Sequence, residues 1–183
     1  QITAKLQTLP LDMDPKDFYD LAKNPPADLI ADYPWLGKIL KDAPKGASLE
    51  GFLWPATYRV LPDTTPDELI RQMLDGFYEN VGADRLDVPK ARGLDFYQVL
   101  SLASIVEREA VLDDERPTIA GVYQNRIDGY KGIAPILNSD PTVFYAIDTM
   151  SLADMPFDDW QKFAFWTPPG KALADIDVPE ALQ

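Results

Sequence analysis

The sequence predicts an α+β fold, mainly helical, with a small β element near residues 48–61. Three observations lead there. Helix starts recur along the chain at Asp14-Pro15, Thr65-Pro66-Asp67-Glu68, Asp95-x-x-Gln98 and Ser139-Asp140-Pro141. The run "SLEGFLWPATYRVL" at 48–61 is rich in aromatic and β-forming residues, with Pro55 in its middle. The chain has 183 residues, 46% of them hydrophobic, enough to close one compact core.

The elements follow in order. Asp14 caps, Pro15 takes the first helical position and Asp17 adds an acid to the first turn, which opens a helix through "DFYDLA". A short helix is expected within 28–40. The 48–61 run reads as two short strands or one interrupted edge strand. Thr65 and Glu68 form a capping box, and positions 69, 70, 73, 74 and 77 make one apolar face behind it. "VGADRLDVPKARGL" reads as a linker. Asp95 and Gln98 open the next helix. Asp114 or Glu115 opens another, with Pro117 in its first turn and Ile119, Val122, Tyr123 and Ile127 on one stripe. Arg126 falls within that stripe, and a core-facing Arg wants a carboxylate; Glu107, Glu109 and Asp140 are candidates. Ser139 or Asp140 caps a short apolar helix behind Pro141. In the tail, Trp160, Phe163, Phe165 and Trp166 read as core. The division expected is 1–90, an N-terminal part carrying the short strands, and 91–183, a helical core, together one compact domain.

Composition removes several kinds of chemistry. There is no Cys and no His, so thiol catalysis, disulfides, Ser-His chemistry and Cys- or His-ligated metals are out of reach. Acid–base work must fall on Asp, Glu, Lys or Tyr. The net charge of −13 argues against nucleic acid as a partner. The scattered acids lack clear metal-ligand spacing. There is no apolar run of about 18 residues. Because the chain opens on Gln1 in what reads as mid-helix, it is expected to be an excised part of a longer protein, with any membrane anchor outside it.

The run "LSLASIVEREA" at 100–110 holds two acids. At about 100° per residue from Phe96, Leu100, Ala103 and Glu107 fall near 40°, 340° and 20°, whereas Glu109 falls near 220°. Glu107 is thus expected to face the core or a cleft, and Glu109 to be solvated. A buried carboxylate is costly unless paired, and an unpaired one stays protonated, as a general acid must be. The alternative for Glu107 is a structural ion pair with an arginine.

"LEGFLWPATY", "LASIVEREA", "ERPTIAGVYQNRI" and "LNSDPTVFYA", in that order across 49–146, resemble the YceG-like endolytic murein transglycosylases. The resemblance implies a helical core like that of the lysozyme-type transglycosylases. It implies cleavage of peptidoglycan strands between MurNAc and GlcNAc, leaving 1,6-anhydro-MurNAc ends, with no cofactor. The first Glu of the SIVE-x-E block matches Glu107 and would be the catalytic acid. By the same carry-over Glu50, Asn125, Asn138 and Asp140 would bind substrate or brace the groove, with Tyr58 as a further candidate. The family block has Gln where this chain has Asn138, and its downstream G-L-P-P-G-P-I block is not matched by "TPPG" at 167–170. Partners implied are glycan strands and the cell-wall synthesis machinery, at the extracytoplasmic face of the bacterial membrane. Two other readings stand beside this one: a non-catalytic wall-binding or scaffold module, and the pyridoxal-phosphate aminodeoxychorismate lyase with which the family has been labelled. For the latter, no Gly-rich phosphate loop and no Lys in a pocket-like context is apparent.

Overall fold

A computed structural model describes residues 1–87 and 93–163. The described residues are mainly helical and contain no strand. They fall into two compact units, Gln1–Leu100 and a second that begins at Ser101.

The first unit holds α1 (Ile2–Leu6), α2 (Pro15–Lys23), α3 (Ala27–Asp32), α4 (Pro34–Leu40), α5 (Pro66–Val81) and α6 (Ala83–Asp87). The starts read from the sequence are built as read. The Asp14 side chain accepts the Lys16 N–H at 2.8 Å. Thr65 and Glu68 satisfy one another's backbone N–H groups at 3.2 and 2.8 Å, which quiets two of the four orphan donors of α5. Leu69, Ile70, Met73, Leu74 and Phe77 are all buried. They meet Phe18 from α2, Leu29 from α3, Leu36 and Ile39 from α4, and Leu49 and Phe52 from the loop between. Trp35 stacks on Phe77 with ring centroids 5.4 Å apart. This burial of apolar surface is the main force holding the unit together.

The small β element expected at 48–61 does not form, and the fold of the described residues is helical rather than α+β. A strand needs a neighbour to complete its ladder, and this segment's long-range backbone bonds go to helices instead. Leu49 N–H donates to the Ala22 carbonyl of α2 at 2.8 Å, and Trp54 N–H to the Met73 carbonyl of α5 at 3.1 Å. Pro55 offers no donor. Its aromatic and apolar side chains serve the core: Leu49 and Phe52 are buried, and Leu53, Trp54, Tyr58 and Val60 pack against the same cluster. The expected linker begins as the short helix α6; its residues 88–92 lie outside the described residues.

Helix α7 (Phe96–Glu109) starts where the Asp95–Gln98 box predicts, with Gln98 N–H on Asp95 at 2.8 Å and Asp95 N–H on Gln98 at 3.0 Å. Phe96, Tyr97 and Leu100 pack against the first unit's core. The second unit adds a 3₁₀ turn (Asp113–Glu115), α8 (Arg116–Ile127), a 3₁₀ turn (Tyr130–Gly132), α9 (Asp140–Asp154) and a 3₁₀ segment (Phe157–Lys162). Helix α7 is not largely buried: Val106 is its one buried residue. Nor is the α8 stripe buried as a whole. Tyr123 is buried, but Val122 and Ile127 are exposed. Trp160 and Phe163 are half-buried, with Trp160 Nε1 donating to the Leu152 carbonyl at 3.2 Å. Phe165, Trp166 and the 167–170 stretch lie outside the described residues.

Leu74 is fully buried in the first unit's core. Leu74→Ala should lower unfolding stability by about 2–5 kcal/mol through lost burial plus a residual cavity. Urea denaturation reads this, and a loss under about 1 kcal/mol would contradict the packing described.

Candidate functional site

Helix α7 presents two different faces. The stripe through Phe96, Leu100, Ala103 and Glu107 is packed only at its start; Ala103 and Glu107 are exposed. A second face, centred near 230° on the same wheel, carries Leu102, Ile105, Val106 and Glu109. All four of those are buried or half-buried. The two glutamates therefore exchange the roles assigned from periodicity. Glu107 stands in solvent, with 64% of its side chain exposed, and Glu109 is the half-buried one. The wheel found one apolar stripe correctly, but that stripe outruns the core that receives it.

Glu107 is held by Arg116 at the start of α8. Arg116 Nε donates to Oε2 at 2.9 Å and Nη2 to Oε1 at 3.1 Å, so a planar fork occupies both carboxylate oxygens. The same guanidinium donates to Asp113. The hydrogen bonds to Glu107, and then those to Asp113, hold Arg116 above its already high ordinary pKa.

Glu109 is held differently. Its Oε1 accepts the Tyr123 hydroxyl at 2.8 Å and the Ser139 hydroxyl at 3.1 Å. Its Oε2 has no hydrogen-bond partner among the described residues. Tyr123 and Ser139 are 5% and 6% exposed, and a hydroxyl so deeply placed must find an acceptor. Burial is the main cause that pushes the Tyr123 phenol pKa up. The Glu109 carboxylate adds to it, while the Ser139 hydroxyl and the Arg126 charge pull the other way.

Local sequence explains the convergence. Asn138 adopts a left-handed conformation, φ 50°, which Asn tolerates better than most residues. Pro141 sits in the first turn of α9, where its missing N–H costs nothing. Ser139 occupies the N-cap position but makes no side-chain cap; its hydroxyl is spent on Glu109, and its carbonyl accepts Thr142 Oγ1 at 2.6 Å. Arg126 does not find the carboxylate expected for it. It donates to the Leu137 carbonyl and lies 5.5 Å from the Tyr123 ring centroid, tying the 137–139 turn to α8.

The other residues singled out from the sequence fall in both units. Asn125 on α8, Asn138 and Asp140 at the start of α9 are exposed in the second unit, and none of them hydrogen-bonds to Glu107 among the described residues. In the first unit Glu50 is exposed in a turn, and half-buried Tyr58 donates its hydroxyl to the Trp54 carbonyl at 2.8 Å. Sequence reasoning missed Ser139 as more than a cap and Tyr123 as more than core. The signal available was the second face of α7, with an acid inside an otherwise apolar set.

Comparison with known proteins adds three findings. The YceG-like family model matches residues 1–162. An endolytic murein transglycosylase of Streptococcus pneumoniae serotype 2 (strain D39 / NCTC 7466) is 37% identical over 101 residues, 54% of this chain and 18% of that protein. An endolytic murein transglycosylase of Bacillus subtilis (strain 168) is 36% identical over 99 residues, 54% of this chain and 26% of that protein. The match thus spans well under a third of either relative. No solved structure matches.

Tyr123 gives a pH test. Its folded pKa is raised, so its neutral form is favoured by folding. That contribution is complete below the ordinary phenol value of about 10 and is lost as pH rises through the folded value. Tyr123→Phe should flatten the alkaline fall in the urea midpoint above about pH 10 and cost about 0.5–1.5 kcal/mol at neutral pH. An alkaline slope identical to the parent's would contradict the environment described for Tyr123.

Proposed function

This chain belongs to the YceG-like family, and on that premise we propose that it is the catalytic part of a lytic transglycosylase acting on peptidoglycan glycan strands. The relatives named endolytic murein transglycosylase support the substrate and the reaction. The observation that carries the chemistry is the Glu109 carboxylate, with one oxygen anchored by two buried hydroxyls and the other without a hydrogen-bond partner among the described residues. A proton carrier needs a fixed orientation and one free oxygen within reach of the reacting group.

In this reading the open oxygen of the acid protonates the glycosidic oxygen between MurNAc and GlcNAc as the C1–O bond breaks. The same oxygen, now a carboxylate, takes the proton from the 6-hydroxyl of that MurNAc as O6 bonds to C1. The product is a 1,6-anhydro-MurNAc end and a free GlcNAc hydroxyl. The attack is internal to the sugar, so no second carboxylate nucleophile is needed, unlike the two-carboxylate glycosidases. The chain's lack of His and Cys is no obstacle. Tyr123 and Ser139 act by positioning.

The family block assigns the acid to Glu107 instead, and its exposure favours that second reading, because a long polymer can reach it. Against it stands Arg116, which takes both oxygens; it would have to swing away first. Asn125, Asn138 and Asp140 are proposed to bind or brace substrate in the second unit, and Glu50 and Tyr58 are proposed to do so in the first. A helical core akin to the lysozyme-type transglycosylases belongs to the same proposal, as do action at the extracytoplasmic face of a bacterial membrane and contact with wall-synthesis proteins. Among the described residues no helix is long and apolar enough to cross a membrane.

Digestion of purified glycan strands, with anhydro ends counted by mass spectrometry, tests the assignment. Glu109→Gln should lower the yield about 10²–10⁴-fold, the scale of a lost general acid, with Glu107→Gln retaining most of it. The reverse pattern would transfer the role to Glu107. Undiminished cleavage by both variants would remove α7 from the chemistry.

A further inference from the structure

The core-facing side of α5 takes Leu69, Ile70, Met73, Leu74 and Phe77. A neighbouring side, offset by roughly 125° at about 100° per residue, runs through 72, 75, 76, 79 and 80 and is wholly polar around one glycine: Gln72, Asp75, Gly76, Glu79 and Asn80. Trp54, Ala56 and Tyr58 cross this face, and between them lies an open cleft of about 400 Å³, within the range of small-molecule sites, roughly 300–1,000 Å³.

Gly76 is what permits the crossing. A Cβ there would lie 3.0 Å from the Tyr58 hydroxyl oxygen and 3.4 Å from the Trp54 Cβ. The aromatic wall is also pinned before any ligand arrives, by Tyr58 Oη on the Trp54 carbonyl at 2.8 Å and Trp54 N–H on the Met73 carbonyl at 3.1 Å. The floor is less committed. Asn80 donates to the Gly76 carbonyl at 2.8 Å and keeps its own carbonyl oxygen, and Asp75 interacts with the Tyr33 hydroxyl. Gln72 and Glu79 have no partner among the described residues.

We propose that this cleft is a saccharide subsite that takes a neutral N-acetylhexosamine; the proposal rests on the transglycosylase reading only for the choice of sugar. Aromatic faces offer the apolar surface that the C–H face of a sugar ring covers. The Gln72 and Asn80 amides and the Glu79 carboxylate supply donors and acceptors for ring hydroxyls and the acetamido group. Among the described residues no Lys or Arg lines the cleft, and two carboxylates do, so the site disfavours an anion. The geometry therefore selects GlcNAc over MurNAc, whose lactyl carboxylate would meet Asp75 and Glu79.

Nitrogen-15 NMR titration of the 183-residue chain tests this, with chitobiose and free MurNAc as probes. Chitobiose should shift the Gln72 and Asn80 side-chain amides, with a Kd at least tenfold tighter than that of free MurNAc at those signals. A Gln72→Ala/Glu79→Ala double variant, altered only at exposed positions and melting with the parent, should weaken chitobiose at least tenfold. No shift of those amides at millimolar chitobiose, an unchanged Kd in the variant, or a preference for free MurNAc would overturn the subsite. Anhydro-end counting on the same preparations separates the two readings. Absent cleavage with the Kd change intact sinks the enzymatic reading alone, and intact cleavage with an unchanged Kd sinks the subsite alone.

Discussion

One carboxylate oxygen holds three helices of the second unit in register. Glu109 Oε1, from α7, accepts a hydroxyl from α8 and another from the N-terminus of α9. Tyr123 and Ser139 are too buried to turn to water, and a buried hydroxyl without an acceptor costs about 1–3 kcal/mol. The demand therefore runs both ways: the hydroxyls need the acid, and the acid's rotamer is fixed by them. Ser139 shows how firmly, since it gives up the capping role that its position at the head of α9 offers. What is left over is the second oxygen of Glu109, without a hydrogen-bond partner among the described residues, and from it follow the chemical proposals made for this unit.

Glu107 and Glu109 lie two residues apart and live in different electrostatic settings. Glu107 meets a guanidinium in solvent, where a two-point pair is geometrically tidy and screened by salt. Among the described residues Glu109 hydrogen-bonds to two neutral hydroxyls, one of them the buried Tyr123 phenol. Arg126 touches that arrangement indirectly, through the Tyr123 ring and the Leu137 carbonyl. It adds positive potential near the phenol without supplying a salt bridge that would occupy the free oxygen.

Much of the first unit was legible in the sequence because its signals are local. The Thr65–Glu68 and Asp95–Gln98 boxes and the Asp14-Pro15 start need only neighbours three residues apart, and the apolar set of α5 is a clean one-sided pattern. The 48–61 run misled because aromatic and β-branched residues signal burial before they signal a strand; here Leu49 and Phe52 are buried against helices with no ladder. The α7 glutamates misled for a related reason. A wheel anchored at Phe96 registers the stripe that packs on the first core and is blind to where that core stops. Only tertiary contact reveals that Val106 and Glu109, not Ala103 and Glu107, are the residues covered further along. Ser139 was unreadable because its hydroxyl goes to a residue 30 positions away.

On the proposed reading, the Glu109 oxygen that has no hydrogen-bond partner among the described residues meets the scissile bond. A crystal structure of the Glu109→Gln variant with a MurNAc-GlcNAc oligomer bound measures this most directly. The account predicts the glycosidic oxygen within hydrogen-bond reach, about 2.6–3.2 Å, of the residue 109 side chain, with Tyr123 and Ser139 still on its other end. A glycan whose glycosidic oxygen lies instead against Glu107, with Arg116 displaced, would contradict it.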